Sequence, residues 1–285
     1  MQQAQARTRL SPDRLLFTAA GLILLLGSQL PVATYLSPRT GLGYAIGIVG
    51  GVMILMQLLY ALRKRVKSMR FLGTVAGWFQ AHMMLGILAP VCILIHCGFS
   101  LGATNSNIAL FCMLTVSGSG IFGRYFYSKI HRGLYGRKAN LADLQASARD
   151  LRQRGTKLLM MPKLMELADE QERRLLGVAD WNSALLAFAP LAIAARFSGG
   201  RGRLRRYARA AINLTAERHK AVATQRARFE RVAYDYINRR MRATREVAEF
   251  RIYERLFSVW HVLHVPLFLM LIAAGIVHVI SVHVY

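Results

Sequence analysis

Acidic residues are scarce in this sequence, and their placement matters more than their number. Only 14 Asp and Glu stand against 38 Lys and Arg, a formal charge of +24. From Leu15 to Ala142 there is no carboxylate at all. Cysteine is equally sparse: Cys92, Cys97 and Cys112 all lie in apolar segments, with no CxxCH and no paired CxxC spacing. That pattern excludes a disulfide framework, a covalently attached haem, and a zinc or iron–sulfur site built on cysteines. A signal peptide is not expected either. The first apolar run is too long for a signal h-region and lacks a small-residue cleavage site.

What is present is apolar. Hydrophobic residues make up 54% of the 285, and the mean hydropathy is +0.30. The acid-free stretch holds most of the long apolar runs, while residues 129–255 are basic and polar throughout. A chain of this kind reads as an integral membrane protein with one large cytoplasmic insertion, which excludes a soluble enzyme and a simple nucleic-acid binder. A bilayer core of about 30 Å takes roughly 20 apolar residues as a helix. Five stretches qualify: 15–36, 42–62, 78–99, 107–127 and 256–282. A sixth, 181–197, is shorter, contains Pro190, and reads as an interfacial or partner-facing helix.

Lys and Arg set the expected topology. The N-terminal tail carries Arg7, Arg9 and Arg14, and the second loop carries Arg63, Lys64, Arg65, Lys67 and Arg70. The two remaining connections hold a single charge, Arg39. Alternation through five spans puts every basic segment on one side, which is cytoplasmic by the positive-inside rule. The expected fold is therefore an all-α integral membrane protein. It has a five-helix transmembrane bundle (1–128 and 256–285) and a helical cytoplasmic insertion (129–255) between spans four and five. The N-terminus is inside and the C-terminus outside, in a bacterial inner membrane. From Arg203 to Val265 the chain has neither Gly nor Pro. Val222, Phe229, Val232, Tyr236, Ala243, Val247 and Phe250 recur there at helical steps, predicting the seam of a long helix that continues into the last span.

Six of the eight histidines fall in or beside the spans, where an ionisable group is costly and usually marks function. His82 and His96 share the third span, and His264 and His278 share the last, each pair 14 positions apart. Fourteen residues rise about 21 Å and return to within about 40° of the starting face. Both helices run inside to outside in the expected topology, so His82 lies level with His264, and His96 with His278. Two facing imidazoles supply both axial ligands of a six-coordinate haem iron. The matched spacing therefore predicts two non-covalent haem b groups stacked through the bilayer. The cytoplasmic-side iron would be held by His82 and His264, and the outer-side iron by His96 and His278. His261, one turn before His264, is the alternative ligand, and His283 is a candidate propionate contact or a solvated residue. Arg70, Arg124, Lys129 and Arg255 are candidates to pair with propionates, or simply positive-inside anchors. The competing reading of the histidines is that they bond to neighbouring helices.

The paired H-x13-H helices resemble the transmembrane domain of ferric reductases and NADPH oxidases, and more broadly the di-haem membrane cytochromes b. Trp260-His261-x-x-His264-x-Pro266 followed by His278, and Gly123-Arg124-Tyr125, resemble bacterial membrane cytochromes of this kind. The resemblance covers about 140 residues and does not reach the basic insertion. It implies that His82, His96, His264 and His278 are the haem ligands. A flavin or nicotinamide domain after the last span is not expected, and electrons are expected to enter from another protein or a quinol. Expected partners are other redox subunits (a flavoprotein, an iron–sulfur or a multihaem protein) or a quinone, within a hetero-oligomer in contact with membrane lipid. Nucleic acid is not expected. The alternative function is a non-redox scaffold that assembles partners through the basic insertion.

Overall fold

The computed structural model describes residues 12–66, 71–131, 146, 149–150 and 162–284. Every regular element among them is helical. In chain order these are α1 (Pro12–Gln29), the single turn α2 (Val32–Tyr35), α3 (Gly41–Arg65), α4 (Val75–His96) and α5 (Thr104–His131). After them come α6 (Pro162–Leu176), two 3₁₀ segments (Gly177–Asp180 and Ser183–Phe188), α7 (Ala189–Arg218), the short α8 (Lys220–Thr224) and α9 (Arg226–Val284). The chain divides into two compact units: Met1–Arg124 with His261–Tyr285, and Tyr125–Trp260.

In the first unit, apolar side chains point outward as often as inward: Leu25, Leu42, Ile48, Phe111, Val262 and Ile276 are all exposed. Among the described residues, α3, α4, α5 and α9 are long and apolar enough to cross a membrane. The expected first span, 15–36, is divided. α1 stops at Gln29, the backbone turns at Leu30–Pro31, and Val32 begins a separate turn. Pro31 lacks the N–H that would continue the helix and disfavours helical backbone at the residue before it. The 18 residues of α1 rise about 27 Å, and its described apolar part, Thr18–Gln29, is shorter than a span.

Glycines set the closest approach in this unit. Gly47 and Gly50 lie about one turn apart on α3 against α4, and a Cβ on Gly50 would come within 2.8 Å of Ile93 Cδ1. Small residues at such spacing let two helix backbones approach closely. Arg63, buried at the end of α3, donates from Nη2 to the Gly73 carbonyl (2.7 Å). Trp78 Nε1 donates to the Leu72 carbonyl (2.8 Å), and the Thr74 side chain caps α4 by accepting from Gly77 N. Phe99, just past α4, has φ +56°, a strained conformation that its surroundings must hold. Its ring fills the space beside Gly27 of α1.

The second unit has a conventional core: Leu164, Ala168 and Leu175 of α6, Ile193, Leu204, Ala208 and Ile212 of α7, and Ala233, Ile237, Met241, Ala248 and Ile252 of α9. α7 and α9 form an antiparallel hairpin. Arg205 bonds Asn238 (2.7 Å) and Arg209 bonds Tyr234 (3.1 Å), so four residues forward on one helix match four back on the other. The expected uninterrupted helix from Arg203 is therefore broken, at His219, where the backbone is extended, and at Gln225. The turn forms without Gly or Pro because burial of two facing apolar stripes outweighs the propensity of a few residues. The expected seam is shifted in the same way. Ala243 and Val247 are buried as expected, but Phe229 and Val232 are exposed, and Ala233, Ile237, Met241 and Ala248 take the core.

One charge is sealed in this core. Arg240, 1% exposed, contacts Asp169, Glu172 (3.0 Å) and Tyr236 Oη (3.1 Å), tying α6 to α9. Burial pushes its pKa down, but Tyr236 and the bonds to Asp169 and Glu172 outweigh that and hold it above its ordinary value. Removing both carboxylates (Asp169→Asn with Glu172→Gln) is expected to cost about 3–5 kcal/mol by stranding a buried charge. Arg240→Met, which removes the charge itself, is expected to cost less. Chemical unfolding of the detergent-solubilised chain, followed by circular dichroism, checks the order.

Candidate functional site

The site is built on α4 and α9, with α3 and α5 behind them. Contacts between side chains fix how these helices run. Gly43, at the start of α3, accepts a hydrogen bond from His96, at the end of α4, so α3 and α4 are antiparallel. Ser106, near the start of α5, meets His278, while Ser119, further along α5, meets His264, so α5 opposes α9. His264 lies within Coulombic reach of His82, and His278 within reach of His96. α4 and the end of α9 therefore run parallel, and the four imidazoles fall into two pairs, each within electrostatic reach, at two levels about 21 Å apart by helix rise. The close backbone packing of α4 is with α3 and α1.

The Nδ1 bonds decide which ring nitrogen keeps a lone pair. His96 Nδ1 lies 2.9 Å from the Gly43 carbonyl, which can only accept, so Nδ1 carries the proton and Nε2 the lone pair. At His264, Ser119 Oγ lies 2.7 Å from Nδ1. The same hydroxyl lies within bonding distance of the Val116 carbonyl (2.8 Å); when it donates there it accepts from His264 Nδ1–H, which leaves the lone pair on Nε2. His278 Nδ1 pairs with Ser106 Oγ at 3.1 Å. This is the arrangement by which proteins orient a ligating imidazole: Nδ1 held by an outer hydrogen bond, Nε2 presented to metal. His82 differs. Its ring lies against Tyr60, centroids 5.1 Å apart, near the Gln57 backbone, but its buried Nδ1 has no partner in hydrogen-bonding geometry. A buried polar atom left this way costs about 1–3 kcal/mol.

The other histidines are placed differently. His261 is exposed on α9 and lies within electrostatic reach of Lys64 and Arg65. At His283, Nδ1 donates to the Val279 carbonyl (2.7 Å) and Nε2 meets Tyr44 Oη (3.1 Å), so both nitrogens are engaged at the end of the helix. Among the candidate propionate partners, Arg124 is half-buried on α5. Arg255 belongs to the second unit and donates to the Ala179 carbonyl (3.0 Å), and Arg70 lies outside the described residues. Lys129 sits over the rings of Tyr125 and Tyr253.

Two imidazoles at each level are the donor set that a haem would take from the protein. No group of three or more His, Cys, Asp or Glu that could hold a metal occurs among the described residues, and a haem needs two from the protein. Gly118, Gly120 and Gly275 have nothing within 4 Å of where a Cβ would stand. Gly118-x-Gly120-x-x-Gly123 has the spacing of a dinucleotide fingerprint, but it lies within α5 and follows no strand, so it offers no phosphate cradle. Sequence spacing did not reveal Ser106, Ser119 and Gly43 as supports for the rings. A hydroxyl or carbonyl facing a histidine from another helix leaves no periodic trace.

A Cβ on Gly47 would come within 2.6 Å of His96 Cε1, whereas one on Gly51 meets nothing. Gly47→Ala is therefore expected to destabilise the chain by about 1–3 kcal/mol through overpacking, and Gly51→Ala to leave stability unchanged, as read by thermal unfolding in detergent. No family model matches this chain, and no curated protein or solved structure matches it.

Proposed function

We propose that this chain is a transmembrane electron conduit: a bis-histidine, di-haem b cytochrome subunit of a larger redox complex in a bacterial inner membrane. The observation that supports this reading is that His82 lies within electrostatic reach of His264 and His96 within reach of His278, with Nδ1 hydrogen-bonded at three of the four rings. His82 and His264 hold one haem, and His96 and His278 the other. The N-terminus is cytoplasmic and the C-terminus extracytoplasmic, and five spans are completed by α1. A bound haem supplies one-electron redox chemistry between ferric and ferrous iron.

The chain's own part is placement and insulation. Gly43, Ser106 and Ser119 hold the Nδ1 side of His96, His278 and His264, and the Gly43 carbonyl keeps the Nε2 lone pair of His96 free. Gly47 makes room for the His96 ring. The apolar helices exclude water, and the acid-free spans leave no carboxylate to compete for the histidines. Electrons would pass between a cytoplasmic-side partner (a flavoprotein, an iron–sulfur protein or a quinone) and an extracytoplasmic donor or acceptor such as a multihaem protein. The basic insertion would dock the partner or companion subunits.

A dithionite-reduced minus oxidised visible spectrum of the purified chain, with haem quantified against protein, tests the proposal. The expected result is a low-spin b-type signal at two haems per chain. His82→Ala and His264→Ala would each lose one of the two, and His96→Ala and His278→Ala the other. No haem, under conditions where haem is supplied, would sink the conduit and leave a non-redox scaffold organised on the basic insertion. Ser119→Ala is expected to keep both haems and raise the reduction potential of the one held by His264, because losing the Nδ1 acceptor makes the ligand less basic. A redox titration reads that shift.

A further inference from the structure

The second unit carries an apolar surface that its own core does not explain. From Asn182 to Ala195 the chain has no charged residue. The 3₁₀ segment Ser183–Phe188 and the first turns of α7 place Leu186, Ala189 and Ile193 in the core, all at 1% exposure or less. The opposite face is just as apolar. Leu185 is 51% exposed, Phe188 64% and Leu191 72%, with Ala187 and Ala195 exposed beside them. A 3₁₀ helix eclipses residues three apart, so Leu185 and Phe188 stack into one ridge that Leu191 extends. A segment apolar on both faces, within an insertion otherwise rich in Arg, marks contact with something non-aqueous.

Three observations point to lipid as that contact. Arg255 Nη1 donates to the Ala179 carbonyl (3.0 Å), pinning the start of this segment beside Leu256, where the apolar run of α9 begins. Leu256 itself packs on the core that holds Ala179, Ala189 and Ile193. The same level carries an aromatic cluster: Phe257 stacks on Trp260 (5.2 Å) and lies 6.3 Å from Tyr127. Aromatic belts of this kind sit at membrane–water interfaces. The charge order fits as well. The apolar ridge gives way to Arg196, held over the Trp181 ring (5.2 Å), and then to exposed Arg203 and Arg206. An apolar face followed by arginines suits acyl chains and the phosphates of an anionic leaflet.

We propose that residues 183–195 form an interfacial element seated in the anionic leaflet where α9 enters the membrane, with Leu185, Phe188 and Leu191 among the acyl chains. The inference rests on α9 crossing a bilayer and is independent of any haem. It gives the insertion a second membrane attachment beyond its connections to the spans. The opening of the α7–α9 hairpin is thereby held at the surface while the His219–Gln225 end projects into water.

The test uses the full chain with Cys92, Cys97 and Cys112 replaced by alanine, in nanodiscs of phosphatidylcholine and phosphatidylglycerol. A nitroxide is attached at Phe188→Cys, Leu191→Cys or Leu214→Cys. Leu214 is also exposed on α7 but lies about 35 Å further along it. The expected result is oxygen accessibility several-fold above that to a water-soluble nickel chelate at 188 and 191, with the reverse at 214. Nickel access at 188 and 191 equal to that at 214 would place the ridge in water and overturn the proposal. Protection from both quenchers would mean a second copy or another protein covers it, which equally overturns a lipid seat. If the cysteine-free chain does not fold, a benzophenone amino acid at Phe188 of the otherwise native chain decides the matter. Lipid adducts support the seat, and protein adducts or none overturn it.

Discussion

An imidazole between membrane helices must place two nitrogens where there is no water, and much of the first unit is arranged around that constraint. His96 is held by the Gly43 carbonyl, His264 by Ser119 and His278 by Ser106. Each partner stands on a helix antiparallel to the one bearing the ring. Two helix pairings are thereby coupled to three rings, and a one-residue slip of α3 or α5 would turn a partner about 100° off its ring. Gly47 gives way to the His96 ring for the same reason. The packing of α3 on α4 and the orientation of the imidazole are one problem with one solution.

The second unit solves a different problem by a related means. Its core is largely apolar, with Gln171 and Thr244 buried in it, and at Arg240 a guanidinium in the seam requires acids from another helix. Asp169 and Glu172 sit three apart on one face of α6, at the spacing that lets both reach the same partner. A buried ion pair adds little stability over an apolar core of similar volume. What it does is set register, because α6 meets α9 with no charge stranded in only one position. The first unit selects its alignment through neutral hydrogen bonds to histidine, the second through ion pairs to arginine, as their surroundings require.

In the proposed conduit these two solutions serve separate ends. The histidine pairs hold redox groups across the bilayer, and the hairpin beyond Tyr125 presents arginines to a partner while its open end rests on lipid. Neither role asks much flexibility of the helices, which suits electron transfer, where distance and surroundings matter more than motion.

Much of this was legible in the residues. Acid-free apolar runs of about 20 residues can satisfy their backbone in hydrocarbon only as helices. The long spans follow from that, as does the helical insertion from its periodic apolar residues. The spacing of His82 with His96 and of His264 with His278 is likewise readable, because an α-helix converts 14 positions into a fixed rise and a nearly restored face. The sequence overstated continuity where a tertiary contact had to decide. The run after Arg203 contains no helix breaker, yet it folds back at His219 because Leu204, Ala208 and Ile212 bury against Ala233, Ile237 and Met241. That choice also moved the buried stripe away from Phe229 and Val232. His261 and His264 are equivalent as letters. Only the placement of α5 put Ser119 against His264 and left His261 exposed, because a hydrogen bond between residues 145 positions apart has no local signature.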